Sequence, residues 1–389
     1  MNNNHYDYIV LGLGGLGSAA VSWLARRGAG TVLGLEQFEL GHVRGGSQDH
    51  SRIIRLSYHT PAYVRLAQQA YAAWDETAAL AQEQLVVQTG GLDFFPAGGA
   101  IIAGDYVNSL RLNGVPFEWL DAAETMHRWP QFRLPEGVET LYQEQSGLVA
   151  AARANAAHQR LAREHGATLL EGQSITALRP TAEGVEVVTA EGSYVGRKLI
   201  VTAGAWSNHA LAHFGWQLPL TVTQEQVAYF ATPHPEQFTP DKFPIWIWMD
   251  EPCYYGFPIF GEPATKVAQD VGGAEVTAET RSFTPNPANL ARVEAFTQQV
   301  IPQAYGPLHL AKTCLYTMPP DRDFVLDALP EYPQVLVAIG AGHAFKFASL
   351  IGKILSELAI DGHTASDISP FALTRPILHE ENPPKQFMV

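Results

Sequence analysis

Tyr6-Asp7-Tyr8-Ile9-Val10-Leu11-Gly12-Leu13-Gly14-Gly15-Leu16-Gly17 is the stretch whose reading decides the fold. Tyr6 to Leu11 is a β-branched and apolar run, and Gly12, Gly14 and Gly17 follow it at once in GxGxxG spacing. Ser18 to Arg27 carries helical spacing, with Val21, Leu24 and Ala25 on one side, and Gly28 and Gly30 stop it. Thr31 to Leu35 is a second apolar strand, so the segment predicts a parallel βαβ unit in a sheet covered on both faces. The first glycine permits the tight turn, the second lets backbone approach a pyrophosphate, and the third lets helix pack on strand. The helix that follows offers unpaired N–H groups to phosphates. Glu36, ending the second strand, is placed to accept hydrogen bonds from a ribose and to repel a 2′-phosphate. The stretch predicts a dinucleotide site, for NAD or for FAD.

Working outward, helices are expected over Ala62 to Leu80, Ala150 to His165 and Phe345 to Ile360, and strands around Ala167 to Thr189, Lys198 to Thr202 and Gln334 to Ile339. Two more strand ends are rich in small residues, Thr202-Ala203-Gly204-Ala205-Trp206 and Gly340-Ala341-Gly342-His343. Small residues there let a ligand lie against backbone, which favours the larger cofactor, FAD. Thr89 to Pro135 and Leu220 to Phe260 differ in character, rich in aromatics and short strands such as the alternating run Gly91 to Phe95. The predicted fold class is α/β. It combines a Rossmann-type FAD-binding domain on a parallel sheet with an interleaved, largely antiparallel β-sheet substrate domain carrying helices. Residues 1–85, 145–218 and 318–389 are assigned to the first, and 86–144 and 219–317 to the second.

Composition narrows the partners. Among 389 residues, 25 Lys and Arg stand against 39 Asp and Glu, a net charge of −14 that disfavours nucleic acid and anionic membranes. Two cysteines exclude a disulfide framework and suit a reducing, cytoplasmic setting. Ile9 to Ala25 is apolar enough to be mistaken for a signal peptide or membrane span. No basic residue precedes it, and its four glycines fit a buried strand turning into a buried helix better. No metal site is read from the sequence.

The loop Arg44 to Arg55, with Ser47 and Ser51 and ending in Ser-Arg-Ile-Ile-Arg, turns the pattern into a family match. It resembles the monomeric sarcosine oxidase family of flavoprotein amine oxidases, which includes N-methyltryptophan oxidase and pipecolate oxidase. The resemblance continues through Thr89 to Leu92, Ser146-Gly147, Thr202 to Ser207, Tyr254 to Pro258, Cys314 to Thr317 and Gly342 to Phe347. It implies FAD-dependent oxidation of a secondary amine borne on an acid, with O2 as acceptor. The products would be hydrogen peroxide and an imine that hydrolyses, to formaldehyde in the N-methyl case. The protein would act as a monomer on a small-molecule amine.

The resemblance also implies roles. Cys314 looks like the cysteine joined by a thioether to the flavin, with Arg52 as the cation beside the ring that assists it. Arg55 and Lys346 resemble the pair that binds the substrate carboxylate, and Lys266 the lysine that acts in the O2 reaction. Tyr254 and Tyr316 resemble pocket tyrosines, Tyr254 with a part in catalysis as well. Cofactor contacts are expected from Gly12, Gly14, Gly15, Leu16 and Gly17, from Glu36 and Gln37, and from Ser47, Ser51 and Arg52. Ala203, Gly204 and Trp206, then Gly340, Gly342, His343 and Lys346, are expected at the other two strand ends. Cys253 reads as packing.

Two positions depart from the family. Asp270 stands four residues after Lys266, where members acting on sarcosine carry a histidine, and Gln48 replaces a second histidine. Asp270 facing a substrate nitrogen would suit an amine larger or more basic than sarcosine; alternatively it caps the turn before Gly272-Gly273. An NAD-dependent dehydrogenase and a flavin-binding protein without turnover remain as competing readings.

Overall fold

In the computed structural model, which describes residues 4–386, the opening strand His5–Leu11 sits inside an eight-stranded sheet. It pairs in parallel with Val32–Leu35 on one side and Gly192–Val201 on the other, and Gly192–Val201 pairs in parallel with Tyr332–Ile339. Alternation explains the unbroken apolar runs. Val10, Ile200 and Leu336 face a helical layer, while Ile9, Leu33, Leu199 and Val337 face a layer with Leu178, Val185 and Phe214. The helices Gly15–Arg27, Ala151–Glu164 and Ala348–Asp361 pack together. Gly352 lets two of them meet at close range, since a Cβ there would sit 2.6 Å from the backbone of Ala19. Because the four strands run parallel, the turns at Gly12, Thr202 and Gly340 share one edge, the carboxyl edge where ligands of α/β sheets bind.

A nine-stranded sheet forms the second layer system. Its longest pairing is antiparallel, Thr221–Phe230 against Leu308–Met318, followed by Thr265–Asp270, Cys253–Phe257, Ile245–Trp248 and Gly91–Phe95. The register sets the faces: Tyr229 opposes Lys266 and Lys266 opposes Phe257, while Glu225 opposes Cys314 and Asp270 opposes Cys253. A third sheet of three strands joins Ser51–Ile54, Gly147–Ala150 and Val86–Gln88.

Several expectations change in detail. The expected helix 345–360 begins as a 3-10 turn, Ala344–Phe347, before Ala348–Asp361. Gly91–Phe95, read as alternating, is buried throughout, because Leu92 and Phe94 enter an aromatic cluster while Asp93 is held by Arg55 on the other side. The helices Ala103–Leu112 and Ala122–Arg128 lie inside the segment read as strand-rich, and Pro287–Val300 was not anticipated. Its start had a signal: Asn286 caps the N–H groups of Ala288 and Asn289, and Pro287 takes the first helical position. Among the described residues, no helix is long and apolar enough to cross a membrane.

Candidate active site

A cavity of about 840 Å3 lies between the carboxyl edge of the parallel sheet and one face of the nine-stranded sheet. Gly12, Gly14, Gly15 and Leu16 line one end, with Glu36, Gln37, Ala203, Gly204 and Trp206. Ser47, Ser51, Arg52, Gly340, Gly342 and His343 line its middle, and Arg55, Lys266, Asp270, Cys314, Tyr316 and Lys346 its far end. Gly17 is off the wall; a Cβ there would sit 1.8 Å from the carbonyl oxygen of Gly12, so its role is helix-to-strand packing.

The glycine turn fits a dinucleotide. Gly12 has φ 87°, and a Cβ on it would lie 2.8 Å from the carbonyl oxygen of Thr202. The N–H of Leu13 donates to Glu36 at 2.8 Å and that of Gly15 to the Ser47 hydroxyl at 2.8 Å. The first turn of the following helix carries no acidic side chain, leaving its positive end facing the cavity. Glu36 also accepts from Phe38 N–H and keeps lone pairs for a ribose.

Strand alternation builds the far end. Lys312, Cys314 and Tyr316 project from one face of Leu308–Met318, and Lys266, Ala268 and Asp270 from the same face of the sheet. Cys253, Tyr255 and Phe257 oppose Asp270, Ala268 and Lys266 on that face, and all three line the cavity. Tyr254 therefore points away: it stacks on Phe296 at 4.1 Å, and Tyr255 is the tyrosine on the wall. The assignment of Tyr254 to the pocket is off by one residue, which in a strand is the opposite face. Cys253, read as packing, also lies on the wall.

The charged groups differ in how they are matched. Arg55 is buried and donates to Asp93 at 3.0 Å, so its charge is already opposed, and its Nε has no partner. Lys346 has no carboxylate within ion-pair distance among the described residues, and its ammonium lies 5.7 Å from the Tyr58 ring. Burial, reinforced by the Arg55 and Arg322 charges and opposed by Asp270, pulls Lys346 down to about 7. Arg55 and Lys346, expected together as the pair for a substrate carboxylate, differ in their surroundings: Arg55 is matched by Asp93, and Lys346 is not matched by any carboxylate among the described residues. Lys266 donates to Asp49 at 3.0 Å and to the Ser51 carbonyl at 2.9 Å, and burial brings it to about 8 against the pull of Asp49.

Asp270 is not a free carboxylate. Arg322 lies 2.9 Å from it and the Tyr316 hydroxyl donates to it at 3.2 Å. Nor does it cap the Gly272-Gly273 turn, since Gly273 N–H donates to Glu225 at 3.0 Å. The Cys314 thiol was expected to be drawn toward the thiolate by Arg52. Arg52 and Arg281 do pull it down, but burial dominates and Glu225 and Asp49 add to it, leaving it at about 11. Arg52 itself donates to the carbonyls of Ser51, Gly46 and Gln48. Gln48 donates to the Thr313 carbonyl, tying the loop to the strand that carries Cys314.

Asp49, Asp93, Tyr255, Lys312 and Arg322 were assigned no role from sequence. Alternation marks Tyr255 once its pairing is known, but Asp93 and Arg322 show no local signal because their partners are 38 and 52 residues away.

Comparison with known proteins bears on this arrangement. The family model of FAD dependent oxidoreductases matches residues 7–358. A monomeric sarcosine oxidase of Bacillus sp. (strain NS-129) is 32% identical over 97% of this chain and 99% of its own length. A monomeric sarcosine oxidase of Streptomyces avermitilis is 36% identical over 94% and 96%. An N-methyl-L-tryptophan oxidase of Salmonella heidelberg is 31% identical over 95% and 99%. Among solved structures, NikD, described as an unusual amino acid oxidase essential for nikkomycin biosynthesis, superposes with TM-score 0.86 at 27% identity, covering 97% of this chain and 100% of that one.

Proposed function

The chain belongs to the FAD dependent oxidoreductase family, and from that premise we propose that it oxidises a secondary amine borne on a carboxylic acid, such as an N-methyl amino acid, using O2. It is a flavoprotein amine oxidase, which sets the NAD alternative aside. When bound, FAD would supply two-electron redox chemistry, with the carbon beside the substrate nitrogen as donor and O2 as acceptor. In this reading the products are H2O2 and an imine that hydrolyses, to formaldehyde and an amine for an N-methyl substrate, and the protein works as a monomer.

The chain's own residues orient, charge and shield. The observation that carries the reading is one continuous cavity with the glycine turn and Glu36 at one end and Lys266, Cys314 and the unmatched cation Lys346 at the other. Residues 1–85, 145–218 and 318–389 would hold the cofactor, and 86–144 and 219–317 would supply most of the substrate wall. Lys346 would hold the substrate carboxylate, with Arg55 supporting through a charge already balanced by Asp93. The Asp270–Arg322 pair and Tyr316 would present polar atoms rather than net charge to the substrate, which suits an acid larger than sarcosine with a second polar group. Lys266 would hold positive charge where O2 is reduced. Cys314 would be the residue that holds FAD covalently, through a thioether, with Arg52 beside it.

Acid precipitation of the purified protein, with mass spectrometry of the intact chain, tests the linkage. Colour in the pellet and an added FAD mass are expected for the native protein, and neither for Cys314→Ser. Peroxide release across a panel of N-methyl and cyclic amino acids tests the activity; silence with every acid-bearing secondary amine would refute it.

A further inference from the structure

Asp49 lies in the glycine- and serine-rich loop at φ 93°, a left-handed conformation that a residue with a Cβ seldom adopts. Its carboxylate meets a ring of donors. Lys266 Nζ is 3.0 Å from Oδ2, and Arg52 Nη1 is 3.9 Å from the same oxygen. The Tyr229 hydroxyl donates to Oδ1 at 2.7 Å and Lys312 Nζ at 3.3 Å. Lys312 reaches on to Glu262 Oε1 at 3.5 Å, and Glu262 holds His50 Nε2 at 2.9 Å and His309 Nε2 at 3.2 Å. Gly261 (φ 81°) makes room for His50, since a Cβ there would lie 2.3 Å from the imidazole. The Lys266 side chain, on the cavity wall, is 3% exposed, while the side chains of His50 and His309 are 35% and 36% exposed. The series thus runs from cavity to solvent with no step above 3.5 Å.

We propose that Lys266, Asp49, Lys312, Glu262 and the pair His50 and His309 form a proton path between cavity and solvent, with Asp49 as the residue that positions and recharges Lys266. This rests on the oxidase reading above. Oxidising an amine to an imine releases two electrons and two protons, and reducing O2 to H2O2 takes up two of each. The substrate's N–H proton is released at a different time and place from the uptake at oxygen, so it must be stored or exchanged with solvent. In the path no electrons move. Lys266 gives a proton to the cavity and regains one through Asp49, which carries it only in passing because, against burial, the Lys266 and Arg52 charges hold its carboxylate well below the usual range. Each outer group refills its inner neighbour, from the His50 and His309 end inward. Cys314, Arg52 and Tyr229 also face Lys266, and the Phe257 ring lies 4.1 Å from its Nζ. A lysine brought to about 8 by burial can both give and accept a proton near neutrality. Strain retained at Asp49 fits a functional placement of its carboxylate.

Two variants and two readouts test the proposal in the FAD-loaded protein. Glu262→Gln breaks the path at its outer end, and re-oxidation of the reduced protein by O2 is expected to slow by about 10²-fold, with imidazole in the buffer restoring most of the rate. A merely structural Glu262 would show no rescue, and an unchanged rate or an unrescued loss overturns the path. Independently of turnover, acetic anhydride labelling of Lys266 across pH, read by peptide mass spectrometry, is expected to titrate at lower pH in Asp49→Asn, because an attractive charge is removed. An unchanged midpoint overturns the role of Asp49. Wild-type protein that releases no peroxide would sink the oxidase reading alone, and the labelling arm would still decide whether Asp49 sets the charge of Lys266.

Discussion

Lys346 offers the most demanding check on the site. Its ammonium stands on the cavity wall without a carboxylate partner, and its fall from 10.5 to about 7 is worth roughly 5 kcal/mol against the charged form. A carboxylate bound beside it restores the charged form, so binding and protonation are coupled. At about pH 8 only about a tenth of the free protein carries the charge, and binding should draw in close to one proton per site. Apparent affinity for a non-oxidisable carboxylate should then fall about tenfold for each pH unit above about 7. Calorimetry in two buffers of different ionisation enthalpy measures that proton directly. Lys346→Met should abolish the proton uptake and weaken binding about thirtyfold or more below pH 7. PH-independent affinity with no proton taken up would mean that Lys346 does not meet the carboxylate, and the reasoning from its isolation would fail.

Other outcomes follow from the same geometry. Asp93→Ala leaves Arg55 buried without its carboxylate and should lower the unfolding free energy by about 3 kcal/mol in urea titrations; a loss under about 1 kcal/mol would show that the pair is not buried as described. Gly17→Ala should prevent FAD incorporation, read as loss of flavin absorbance in the purified protein, because a Cβ 1.8 Å from the Gly12 carbonyl must displace the turn. Glu225 is raised to about 7 from 4.5 chiefly by burial, so the folded state holds its proton more tightly. Its stability contribution is present below pH 4.5 and is lost as pH rises through 7, a fall of order 3 kcal/mol. Glu225→Gln should flatten that slope in chemical denaturation, and an unchanged slope would exclude Glu225 as its source.

The dinucleotide half was legible because its signal is local. Gly12, Gly14, Gly17 and Glu36 lie within one βαβ unit, where backbone sterics and hydrogen bonding restrict which residues can stand at each position. Cys314, Lys266 and Lys346 were reached through motifs that travel with their neighbours, and the structure brings all three to one cavity. The helix at Pro287 was missed although Asn286-Pro287 announced it, because only Val293, Thr297 and Val300 are buried and one of the three is polar, which leaves a thin apolar stripe.

What the chain's order of residues determined alone was therefore the strand-turn-helix chemistry, the glycine ends and the identity of the family. What only the tertiary structure decided was which tyrosine faces the cavity and which cations are already matched. A strand places neighbouring residues on opposite faces, so Tyr254 and Tyr255 cannot be told apart until Cys253–Phe257 is paired with Thr265–Asp270. The charge of a buried group depends on the sum of its neighbours, and Asp93, Asp49 and Arg322 reach Arg55, Lys266 and Asp270 across 38, 217 and 52 residues. Electrostatic matching acts through space, and no local pattern encodes it.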